Sequence, residues 1–107
     1  GTSNIDNQRF GDMVELWRQS LEQIQLPHGI KNTSKINDTF FGNGYFLKFI
    51  TKNFKNTLVL ATEIAKIYCE EYDYIIYPEV VDTVAQALKV KVPEHASIFI
   101  RKHNESE

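Results

Sequence analysis

Cysteine is nearly absent: Cys69 stands alone in 107 residues. An internal disulfide is excluded, and a reducing compartment is expected. Charge of one sign is lacking too. Twelve basic against fourteen acidic residues leave a net charge of -2, so no global basic field recruits nucleic acid or an anionic membrane. Any such contact needs a local patch. No apolar run approaches the roughly 20 residues of a membrane span. Histidine is scarce: His28 and His95 lie beside prolines, and His103 lies near the end. None shares a helical face with other ligating residues, so no metal site is expected. Glu70 and Glu71 beside Cys69 oppose a nucleophilic thiolate. Gly42-Asn43-Gly44 matches neither spacing of a phosphate-binding loop. No catalytic residue and no cofactor site is expected. The sequence shows no repeat and no low-complexity tract.

What remains is an ordinary globular balance, 42% hydrophobic and 24% charged. That suffices for one core and argues against disorder throughout. Residues 1–4 read as a flexible or vector-derived start, 5–101 as a single domain and 102–107 as a polar tail. The chain reads as a domain cut from a larger protein.

Phe10, Met13, Val14, Trp17, Leu21 and Ile24 recur at three- and four-residue steps, which predicts a helix over 5–25. Pro27-His28-Gly29 ends it. A loop with a short strand follows over 30–38. Tyr45, Phe46, Phe49 and Ile50 predict a short helix over 44–53, after a turn at the glycines. Thr57 is a plausible N-cap for a third helix over 58–71, with Leu60, Ala61, Ile64 and Ala65 on its apolar face. Asp73 to Tyr77 reads as a strand. Pro78 suits the first turn of a helix over 78–89, Pro93 stops it, and Ser97 to Arg101 reads as a last strand. Two helices joined by a few residues and followed by strands predict a fold that is mainly α with a small antiparallel sheet, a winged helix or helix-turn-helix-like single domain. Tyr45, Phe46, Phe49, Ile50 and Phe54 are expected to pack against Trp17 and Ile64 as core.

At this point the residues resemble the DEP domain, a winged-helix-like module of signalling proteins. The resemblance rests on Leu16-Trp17, Gly29-Ile30-Lys31, Phe41-Gly42 with Phe49-Ile50, Ala61, Ile64 and Ala65, and Ile98-Phe99-Ile100-Arg101, across 14–101. It implies an intracellular module, cytoplasmic or nuclear, in regulators of small or heterotrimeric G proteins.

The expected function is non-catalytic recognition or targeting, with a protein partner or an anionic membrane as target. Lys48, Lys52 and Lys55 lie at steps of four and three and are the candidate contacts, with Lys31 and Lys35 as helpers. An alternative is a protein-interaction, dimerisation or nucleic-acid-binding module of a chromatin or replication factor. Nucleic acid would then meet Lys66, Lys89, Lys91 and Arg101. A homodimer would form through Tyr72, Tyr74 and Tyr77, since aromatics are enriched at interfaces.

Overall fold

The computed structural model describes residues 2, 5–37, 44–65 and 76–103. Three α-helices carry it: α1 (Asn7–Glu22), α2 (Tyr45–Asn53) and α3 (Pro78–His103), with a 3-10 turn at Pro27–Gly29.

Asp6 caps α1, its side chain accepting the Arg9 N–H at 3.3 Å and satisfying one of the unpaired donors of the first turn. One face of α1 buries Phe10, Met13 and Val14. Burial of each such side chain contributes about 1.5–3 kcal/mol. The face they meet is α3, which runs antiparallel to α1. Phe10 lies 5.6 Å from Phe99 and 5.2 Å from His103, ring centre to ring centre. Two turns on, Trp17 meets His95 edge-on at 5.2 Å. His95 is buried, and its Nε2 lies 2.8 Å from the Met13 carbonyl oxygen. That satisfies a ring nitrogen inside the seam. At the far end His28 Nε2 sits 2.7 Å from Glu79 Oε1, joining the 3-10 turn to the start of α3. Both His28 and Gly29 have positive φ, 61° and 68°, and glycine takes that conformation without a steric penalty.

Two irregular segments lie along α1. The Asn32 amide donates to the Leu21 and Ile24 carbonyls at 2.8 and 3.0 Å, tying this segment to the end of α1 and the residues just past it. The Ser34 N–H donates to the Glu22 carboxylate at 3.0 Å. Farther on, Trp17 Nε1 donates to Thr62 Oγ1 at 2.8 Å, which holds the non-helical stretch 57–65 beside the first helix.

Several expectations are corrected. Among the described residues there is no strand and no sheet, so the winged-helix architecture does not hold. Residues 58–65 are not helical; the β-branched Val59, Thr62 and Ile64 favour extended backbone, and the bond from Trp17 to Thr62 reinforces it. Residues 97–101 are helix, not strand, because α3 continues through Pro93 to His103. That continuation places His95, Phe99 and His103 on α1, and packing outweighs the local β preference of Ile98 to Ile100. The expected turn at Gly42-Asn43, the remainder of the 58–71 helix and most of the 73–77 strand lie outside the described residues.

Candidate docking surface

The aromatic run does not close over Trp17. No residue of α2 is buried. Tyr45 is 82% exposed, Phe46 68%, and Phe54, just past the helix, 50%. Phe49 is also exposed. The correction has a geometric cause. At about 100° per residue, Leu47, Ile50 and Thr51 fall on one side of α2, and these three are half-buried. Tyr45 and Phe49 fall on the opposite side, and Phe46 lies between that side and Ile50. Ring centres of Tyr45 and Phe49 are 6.3 Å apart, and those of Phe49 and Phe54 are 6.4 Å apart. The rings therefore form a continuous strip.

Lys48 and Lys52 border the strip, and Lys55 follows just beyond it; all three are exposed. Residues 39–62 hold these three lysines and no carboxylate. Within a chain of net charge -2, that is a local positive field of the kind the whole molecule lacks. Arg9 fixes the exit of α2 to the body, donating to the Lys55 carbonyl oxygen at 2.6 Å and to the Asn56 side-chain oxygen. Its guanidinium also lies 4.8 Å from the centre of the Phe10 ring.

Lys31 and Lys35 are exposed but belong to another feature. They line a cleft of about 530 Å³ between α1, the 31–37 segment and the 60–65 segment, floored by Val14, Leu21, Val84 and Leu88. Residues of α2 do not line this cleft. Arg18 also lines it, but its guanidinium is occupied by Glu15 at 2.6 Å and Glu22 at 3.2 Å. Chiefly through that hydrogen bond, Arg18 holds the Glu15 carboxyl below its ordinary range.

Among the described residues, the alternative nucleic-acid contacts are not gathered. Lys89 and Lys91 are two residues apart on α3, about 200° around the helix. Arg101 comes a further ten residues along and points to a third side. Tyr77 precedes α3, where its carbonyl accepts the Val80 and Val81 N–H groups. Lys66, Tyr72, Tyr74 and Cys69 lie outside the described residues. Among the described residues no three His, Cys, Asp or Glu side chains converge on a point that could hold a metal ion. No described helix is long and apolar enough to cross a membrane.

Sequence reasoning singled out the lysines of α2 and assigned its rings to the core, where the structure leaves the rings exposed. It missed Arg9, for which periodicity carries no signal. It also placed His95 and His103 outside any element, although 95, 99 and 103 follow the helical spacing of one continuous face.

The fold and its surface define a small helical domain that presents one exposed, amphipathic, basic and aromatic helix. No protein-family model, curated protein or solved structure matches the chain.

Proposed function

We propose that this chain is a non-catalytic recognition and targeting module that docks on an anionic membrane surface through α2. The observation that carries the reading is the joint exposure of Tyr45, Phe46 and Phe49 with Lys48, Lys52 and Lys55 in a stretch free of carboxylates. Each lysine near an anionic leaflet gains about 1 kcal/mol. Such leaflets face the cell interior, which agrees with an intracellular signalling parent of the kind the DEP resemblance implies. The reading keeps that docking role without the winged-helix fold. Lys31 and Lys35, on the cleft, are not part of it.

The test is co-sedimentation with vesicles of phosphatidylcholine, with and without 30 mol% phosphatidylserine (a fraction of roughly physiological order). Binding is expected only with the anionic lipid. The triple variant K48E/K52E/K55E should lose at least about a hundredfold in affinity, since three lysines at about 1 kcal/mol each are removed and reversed. Equal binding of wild type and triple variant sinks the proposal.

A further inference from the structure

We propose that the aromatic strip of α2, formed by Tyr45, Phe46 and Phe49 with the adjoining Phe54, enters the bilayer at the boundary between headgroups and acyl chains. Docking is then shallow insertion of one helix face, and not adhesion by lysines alone. This rests on the reading of α2 as the membrane-docking element.

Four large exposed rings, of which Tyr45, Phe49 and Phe54 lie in sequence beside one another, form an apolar patch of the sort that marks an interaction site. Their arrangement selects the occupant. A helix seated in a protein groove anchors through positions i, i+3, i+4 and i+7. Counting from Tyr45, those positions are Tyr45, Lys48, Phe49 and Lys52; counting from Phe46, they are Phe46, Phe49, Ile50 and Asn53, of which Ile50 is already half-buried and Asn53 is polar. A dry groove that took in Tyr45 with Phe49 would have to bury two ammonium groups beside the rings, which is costly without partners. At a bilayer surface the same pattern is favourable. The rings lie below the phosphate level, and the lysines extend their flexible stems upward to it.

The helix is also suited to lie flat. Nine residues span about 14 Å, which is short for a membrane-parallel segment taken alone. Here, however, the element does not have to fold from coil on contact. Leu47, Ile50 and Thr51 are half-buried, and Arg9 of α1 ties down the backbone just past the exit of the helix. The rings are thus presented together on an ordered support, and less ordering entropy opposes their insertion.

Phe46→Trp places a depth-sensitive reporter on an exposed part of the strip, with wild type, which carries only Trp17, as the background. With vesicles containing 30 mol% phosphatidylserine, the emission of F46W should shift to the blue. Bromine-labelled phospholipids should quench it severalfold more than wild type. The double variant F46S/F49S, with every lysine intact, should bind these vesicles roughly a hundredfold more weakly, about tenfold for each ring lost from a partly apolar site. Neither ring is buried in the protein, so its far-ultraviolet circular dichroism should match wild type. If F46W sediments with the vesicles yet keeps its aqueous emission and escapes quenching, insertion is wrong and docking by the lysines stands. If wild type ignores anionic vesicles altogether, the docking reading falls, insertion falls with it, and the strip is left for a protein surface.

Discussion

Arg9 of the first helix reaches the backbone of Lys55, 46 residues away, and donates to its carbonyl oxygen at 2.6 Å. One guanidinium therefore joins the body of the domain to the end of its most exposed helix. The bond leaves the Lys55 side chain directed outward while it fixes the backbone beneath it.

This tie makes Arg9 a positioning residue. Arg9→Met keeps the aliphatic stem over Phe10 and removes both donors. The bonds are exposed, so the loss of stability should be small, about 1 kcal/mol. Affinity for anionic vesicles should fall threefold to tenfold, because α2 must then be ordered on contact. Arg9→Lys can restore one contact but not the fork, and should recover part of the affinity. Thermal melting and vesicle co-sedimentation, measured side by side, separate the two effects. Vesicle affinity unchanged in R9M would show that α2 needs no such support.

A second prediction concerns acid. The Lys102 ammonium, 3.0 Å from Asp12 Oδ2, holds the Asp12 carboxyl below its ordinary value of 3.8. The Ser34 N–H does the same for Glu22, and Arg18 for Glu15, both from an ordinary 4.5. These carboxylates release their protons more readily in the folded chain than in the unfolded one. Between the folded and ordinary values, the unfolded chain therefore binds more protons, and stability must rise with pH. The contribution is complete above about pH 5 and is lost as pH falls through the lower folded values. Asp12→Asn should lower the melting temperature by a few degrees at pH 7, and the gap to wild type should narrow as pH falls below the ordinary value of 3.8. A gap that stays constant from pH 7 to pH 3 would assign the loss to something other than the Lys102 pair.

The two shorter helices could be read from periodicity because each obeys one rule throughout. The spacing of Phe10, Met13, Val14 and Trp17 is helical, and α1 spans 7–22 within the expected 5–25. The segment 44–53 likewise becomes α2 with its first residue trimmed. What periodicity could not supply is the partner of each apolar face. Hydrophobicity states what Phe46 gains when it leaves water; it does not state which surface is there to receive it. The half-buried side of α2 carries Leu47 and Ile50, and the larger rings are left exposed. The stretch 58–65 failed for a related reason. Leu60, Ala61, Ile64 and Ala65 fit a helical face by spacing, yet Trp17 Nε1 finds its acceptor at Thr62 on non-helical backbone. That pairing, across 45 residues, is invisible to any local window.

The far half of α3 shows the same limit and yields the last prediction. Pro93 was expected to stop the helix, since proline cannot donate to the Lys89 carbonyl and its ring crowds that group. The helix runs on for ten residues regardless. It does so because His95, Phe99 and His103 meet Met13, Trp17 and Phe10 on the other side of the seam. Proline in a helix interior is about 3 kcal/mol less favourable than alanine, and Pro93 is exposed, so it makes little packing contribution in return. Part of the penalty is recovered because proline also restricts the unfolded chain. Pro93→Ala should therefore stabilise the protein by about 1–3 kcal/mol, at roughly 4–8 °C of melting temperature per kcal/mol for a domain of this size. The Trp17 emission should be unchanged, since the seam contacts are the same. If P93A instead melts earlier and the Trp17 emission moves toward that of water, then α3 meets α1 along its whole length only when bent at residue 93, and the proline is the source of that bend.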